Sequence, residues 1–336
     1  MRLPLAIAVP LVLVASACSE AGPAASPGAA PASSVGSSGP ASTATSAPTP
    51  TPGPTPTSEP VPRASPQPRL GPSDVDLDTA LDAVGVLAGE IGPRPGHTRA
   101  YFRAADYVQG RLTDFGWTVE RQRFPTPAGR FEGRPVAAGP SVNLIATRGD
   151  VTAGEPYLVV GAHLDTVPGA PGAEDNASGV ATMLAIAEAA SERRTRLPVV
   201  LVAFGSEEPR GPGDDDHHYG SRAYVASLSR AQRRSLEAMV SLDRVGVGSV
   251  VPVGTPAEPN ELTDELQAVA QGVGVPTQVD PFQRSSDHWS FVRDGLPGAR
   301  LGSTPYAGYH SAGDTPSVID PSQLERTARL VAGWLR

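Results

Sequence analysis

Lysine is absent from this 336-residue chain, cysteine occurs once, and aromatic residues make up only 5%. Each scarcity excludes something. A single thiol forms no internal disulfide. If Cys18 is consumed or removed on export, the rest of the chain has no cysteine nucleophile and no thiolate metal ligand. With no lysine, all fixed positive side-chain charge is arginine. It is outweighed by Asp and Glu, 27 against 35, for a formal net charge of −8. An acidic chain without a basic run offers no footprint for nucleic-acid phosphates and none for anionic lipid headgroups. The N-terminal apolar run, Leu3 to Val14, is shorter than the roughly 20 residues a helix needs to cross a bilayer.

What is present begins with a targeting signal. Arg2 supplies a positive n-region, Leu3 to Val14 an apolar h-region, and Ala15-Ser16-Ala17 small residues just before Cys18. The arrangement resembles a bacterial lipoprotein signal, in which the Cys is lipidated and becomes the mature N-terminus. It implies export, with a lipid anchor through Cys18 on the outer face of the cell membrane. The other reading is an ordinary cleaved signal and a secreted protein. Residues 19–72 are almost all Ala, Pro, Ser, Thr and Gly. Such a segment buries too little apolar surface to offset its ordering entropy, so a disordered spacer is expected. Residues 73–336 are long enough for one domain with a sizeable core.

Along that domain two periodicities alternate. Leu77, Leu81, Val84, Leu87 and Ile91 recur at helical spacing, as do Tyr101, Ala105, Val108, Leu112 and Phe115, with Gly116 as a stop. Further helices are predicted over 177–190, 261–273 and 321–335. Apolar runs at 142–146, 157–161, 199–204 and 238–242 read as buried strands. The pattern predicts an α/β fold: a single three-layer α/β/α domain with a mostly parallel mixed central sheet. In such sheets ligands bind at the carboxyl ends of the strands.

The chemically informative residues fall there. The strand at 157–161 runs into His163-Leu164-Asp165, followed by Glu174-Asp175-Asn176-Ala177-Ser178-Gly179. The strand at 199–204 runs into Glu207-Glu208, and that at 238–242 into Asp243-Arg244. Tyr309-His310 lies near the C-terminus. Two histidines and several carboxylates at successive strand ends suit Zn²⁺, which accepts imidazole nitrogen and carboxylate oxygen. Carboxylates gathered without a cation would repel one another.

The order of these motifs resembles metallopeptidase family 28, the co-catalytic dizinc aminopeptidases, a family that also holds glutaminyl-cyclase-like members. Gly92-Pro93-Arg94-Pro95-Gly96, Gly220-Ser221-Arg222-Ala223-Tyr224, Ser286-Asp287-His288 and Gly295-Leu296-Pro297 extend the likeness over nearly the whole domain. The resemblance implies two Zn²⁺ per chain. Asp175 would bridge them, His163 and Asp243 would complete one site, and Glu208 and His310 the other. Asp165 would accept from His163 and fix its tautomer. Glu207 would act as general base on a metal-bridged hydroxide, and Tyr309 would donate to the developing oxyanion. The implied activity is removal of N-terminal residues from peptides with a free amino terminus, and the long tether suits a monomer.

Three other readings compete. A dizinc carboxypeptidase shares the His163-to-Pro168 pattern, but the stretch from Asp243 to His310 is too short for its lid domain. Glutaminyl cyclase chemistry would use one zinc on an N-terminal Gln. A surface binding protein on an inactive scaffold would lack a ligand or the base, and none is missing. The segment between Glu208 and Gly220 is longer than the family's usual form, and its Asp214–His218 cluster reads as a solvated loop.

Overall fold

Apolar runs become the middle of one sheet. A computed structural model describes residues 67–336 apart from Asp150 and Ala153. The chain divides into two units, Met1–Pro62 and Arg63–Arg336, and the described residues all belong to the second. The expected signal sequence, Cys18 and nearly all of the expected spacer lie outside the described residues. In chain order the strands are β1 (Thr118–Thr126), β2 (Gly129–Phe131), β3 (Arg134–Val136), β4 (Gly139–Thr147), β5 (Tyr157–His163), β6 (Val199–Phe204), β7 (Leu236–Leu242), β8 (Val251–Gly254), β9 (Thr277–Asp280) and β10 (Gly298–Leu301). The helices are α1 (Leu77–Val84), α2 (Arg99–Asp114), α3 (Ser178–Ser191), α4 (Tyr219–Ser227), α5 (Arg230–Ser235), α6 (Glu261–Gly272), α7 (His288–Val292) and α8 (Pro321–Leu335).

Eight strands form a mixed sheet in the order β1-β4-β6-β5-β7-β10-β8-β9, with β2 and β3 as a separate hairpin. The central pairs β6–β5, β5–β7 and β7–β10 are parallel, whereas β1–β4, β4–β6 and β10–β8 are antiparallel. The strand period of two sorts side chains between two cores. Leu158, Val160 and Ala162 of β5 join one cluster with α1, α2, α3, α6 and α8. Tyr157 and Val159 join a second with Tyr224 and Val225 of α4 and Phe291 of α7. The sheet is therefore sandwiched between helical layers, as the sequence predicts.

Local chemistry sets the ends of these elements. The Thr98 hydroxyl accepts from the Tyr101 amide at the start of α2, and Gly116 stops the helix at φ +82°. The boundary expected at 72–73 falls inside the fold. Leu70 is fully buried, its amide bonds Arg194 O at 2.9 Å, and Arg69 Nη1 donates to the carbonyl of Arg336. A single leucine in a Pro/Gly-rich context carries no periodic signal, so composition alone placed the boundary too late.

Candidate metal centre

The parallel strands β5, β6 and β7 deliver the site. His163 is the last residue of β5, Glu207 and Glu208 follow the end of β6, and Asp243 follows β7 directly. Asp175 sits in the turn Ala173–Ala177 that opens α3, and its peptide bond to Asn176 is cis. His310 arrives on the loop after β10. All five expected ligands and Glu207 converge, and all but His310 are among the buried polar residues.

Asp175 lies between the two histidines. Its Oδ1 is 3.1 Å from His163 Nε2, and its Oδ2 is 3.1 Å from His310 Nε2. Asp243 Oδ1 is 3.8 Å from His163 Nε2, while Glu208 Oε2 is 3.2 Å from His310 Nε2. Donor atoms of His163, Asp175 and Glu208 lie within 4.8 Å of one another, as do those of His163, Glu207 and Asp243. By distance Glu207 is thus also a possible ligand. Glu207 Oε1 also lies 3.1 Å from His218 Nε2, a contact no other carboxylate of the cluster shares.

Electrostatics show what the cluster needs. Burial, together with neighbouring carboxylates, pushes Glu207 and Glu208 up to about 8. Burial opposes protonation of His310, but the carboxylates of Asp175 and Glu208 outweigh it and raise the imidazole to about 10. His163 is likewise held well above its ordinary value by Glu207, Asp175 and Asp243 against the effect of burial. Against the effect of burial, His163 and His310 draw Asp175 well below the usual carboxylate range, and His163 with Arg244 draws Asp243 to about 2. So much buried negative charge calls for cations. Glu208 Oε1 and Asp243 Oδ1 are buried without any hydrogen-bond partner, which in a native site asks for an ion or water. An imidazole-and-carboxylate donor set of this kind fits zinc.

The supporting residues differ in part from expectation. Asp165 does not hold His163 with its side chain, which lies 3.8 Å from Nδ1. The Asp165 backbone carbonyl faces Nδ1 at 3.2 Å instead. Its carboxylate accepts the amides of Glu207 at 2.9 Å and Glu208 at 3.3 Å, because the turn after β6 presents two unpaired N–H groups to it. Asp314, to which the sequence assigns no role, accepts the amides of Glu174 and Asp175 at 2.8 and 3.0 Å. Asn176 ties the Asp175 turn to β7 through Leu242 O and the Arg244 amide. Glu174 caps the amides of Gly246 and Val247. Tyr309 stacks on His310 at 3.8 Å between centroids, with the Arg244 guanidinium 4.3 Å from its ring. Ser206, His218, Arg244 and His310 have φ of +51°, +58°, +58° and +53°, a left-handed region that non-glycine residues enter seldom. Beside Tyr309 and Arg244 opens a cavity of about 520 Å³ that also reaches Asp280, Gln283, Arg300 and Thr304.

The model of peptidase family M28 matches residues 143–335, more than half of the chain. The chain belongs to peptidase family M28. Among its relatives, leupeptin-inactivating enzyme 1 of Streptomyces exfoliatus is 27% identical over 290 residues, 78% of this chain and 61% of that protein. Aminopeptidase YwaD of Bacillus subtilis is 29% identical over 203 residues, 57% of this chain and 43% of that protein. The M28 chain thus spans less than two thirds of the length of these relatives. The fold matches a zinc aminopeptidase from Bacillus subtilis at a TM-score of 0.68 and 18% identity, over 77% of this chain and 94% of that one. It matches Bacteroides thetaiotaomicron glutaminyl cyclase equally, at 0.68 and 19%, over 80% and 98%.

Proposed function

We propose that this M28 chain is an exported zinc-dependent aminopeptidase that removes N-terminal residues from peptides. The carrying observation is the split of the Asp175 carboxylate, one oxygen toward His163 and the other toward His310. That is the arrangement a residue shared by two cations requires. His163, Asp243 and Asp175 would hold one Zn²⁺, and His310, Glu208 and Asp175 the other. When bound, zinc supplies Lewis-acid polarisation of a carbonyl and acidifies water.

The chain's own residues supply the rest. Glu207 takes the proton from the attacking water and returns it to the leaving amine, with its carboxylate as the exchanging group. Asp165 fixes the turn that presents Glu207 and Glu208 by holding both of their amides. Tyr309 donates its hydroxyl hydrogen to the carbonyl oxygen as negative charge develops there. An ordinary phenol is protonated at neutral pH, and partial burial, then the nearby carboxylate of Asp175, raises its pKa further. The carboxylates around the site attract the free amino terminus of a substrate. The first side chain enters the cavity beside Arg244 and Tyr309. In this reading Cys18 carries the lipid that tethers a monomeric enzyme outside the cell.

The test uses the purified full chain: zinc is counted, and aminoacyl arylamides and an N-terminal-Gln peptide are assayed with and without chelator. Two zinc ions per chain, with arylamide hydrolysis lost to chelator and reduced about 10²- to 10⁴-fold by Glu207→Gln, are expected. Cyclisation of the Gln peptide with one zinc would move the assignment to glutaminyl cyclase chemistry. Absence of bound zinc would end the metallopeptidase reading.

A further inference from the structure

The segment from Pro209 to Tyr219 is not wholly a solvated loop. Its acidic part is: Asp214, Asp215 and Gly213 are exposed. The segment then turns back onto the site. The His218 amide donates to Glu207 O at 2.8 Å and the Tyr219 amide to Ser206 O at 3.0 Å. His218 takes φ +58° as the residue preceding α4, and its side chain points inward, 3% exposed.

There its imidazole meets one polar group. Nε2 is 3.1 Å from Glu207 Oε1, and neither ring nitrogen completes a hydrogen bond. The separation is within hydrogen-bond reach, while the N–H direction falls off the oxygen. Contacts to catalytic groups are commonly loose in this way before substrate binds. Burial pushes the imidazole down to about 4, so the ring is neutral and can donate from one nitrogen only. A buried histidine held purely by packing would find a carbonyl or hydroxyl for its N–H. This one faces the Glu207 carboxylate at 3.1 Å, and the charge of the buried, unpaired Asp287 also acts on it.

We propose that His218 is a positioning residue for Glu207: its Nε2–H donates to Oε1, fixes the carboxylate's rotamer, and leaves the second oxygen for proton transfer. The inference rests on the reading of Glu207 as general base. It gives the long segment after Glu208 a function, which is to bring a donor behind the base. Outer-shell partners of metal sites are worth about 10- to 100-fold in activity, and that is the loss expected here.

Two substitutions in the full chain separate positioning from packing. Asn is favoured in the left-handed region, but its amide nitrogen reaches only as far as the ring's Nδ1. Gln gains nothing from the backbone, yet its amide nitrogen reaches the position of Nε2. If His218 positions the base, His218→Asn lowers kcat about 10- to 100-fold with KM, zinc content and melting temperature close to the parent, and His218→Gln restores most of the rate. A structural role gives the opposite order, with Asn the better tolerated. Asn at parental rate, or Gln as impaired as Asn, overturns the proposal.

A second readout needs no variant at 218 and no turnover. In the histidine ring ¹H–¹⁵N spectrum of the full chain, the Nε2–H signal of His218 is expected to move when Glu207 becomes Gln. A signal that stays in place also overturns the contact. A wild-type chain that binds zinc but hydrolyses no free-amine substrate would instead sink the aminopeptidase reading, and the spectrum would still decide the contact.

Discussion

At Asp165 two carboxylate oxygens meet two backbone N–H groups, those of Glu207 and Glu208. Asp165→Asn keeps the volume but turns one acceptor into a donor facing an amide. The orphaned N–H costs about 1–3 kcal/mol, and loosening the turn moves Glu207 and Glu208 together. A lower melting temperature and a kcat reduced about 10- to 100-fold are expected, from calorimetry and arylamide kinetics. Unchanged kinetics would show that the turn holds itself. His163, Glu208 and Asp243 were legible because each sits at or just past a strand end that the apolar runs locate, whereas Asp175 and His310, on a turn and a loop, were found by motif resemblance. Asp314 and His218 were not legible. Their partners, Asp175 and Glu207, lie far away along the sequence or across a turn, and no periodicity links them.

At the scale of elements, α4 approaches the loop after β6 through Gly220. A Cβ there would run into the backbone O of Gly205 and the side-chain Oδ1 of Asn143; the first is backbone, and the second is pinned by the Gly205 amide and by its own amide's bond to Gly220 O. Gly220→Ala is expected to cost about 1–3 kcal/mol as overpacking and to lower activity by displacing His218 from Glu207. Thermal denaturation and kcat together check it, and a parental melting temperature would contradict the close approach. The strands read from sequence, β4 to β7, are those buried on both faces, and so continuously apolar. β1 was missed because it is an edge strand with mostly exposed or half-exposed residues. β8, β9 and β10 have four residues each, too few for a run to stand out. α4, α5 and α7 are likewise short, and their place is set by packing on the sheet rather than by their own periodicity.

For the whole molecule, pH dependence follows from a buried acid outside the ligand set. Asp287 is fully buried with neither oxygen well paired, and burial, then the nearby Glu207 charge, pushes it from 3.8 up to about 8. The folded chain therefore keeps this proton to about pH 8, while the unfolded chain releases it near its ordinary value. Between those limits the folded state binds more protons, so stability falls as pH rises, by up to about 1.4 kcal/mol per pH unit for one proton. In zinc-free full chain, urea unfolding is expected to show that decline from pH 5 to 7.5, with a shallower slope in Asp287→Asn. An identical slope in the variant would remove Asp287 as its source.

The convergence of five donors from five separate segments has one more consequence. A continuous stretch holding all of them must run from His163 to His310, and that stretch lacks α2, α8 and the β1–β4 edge that complete both cores. No fragment short of the finished fold thus carries the whole centre. Zinc held by this cluster would therefore count correctly folded molecules rather than chains.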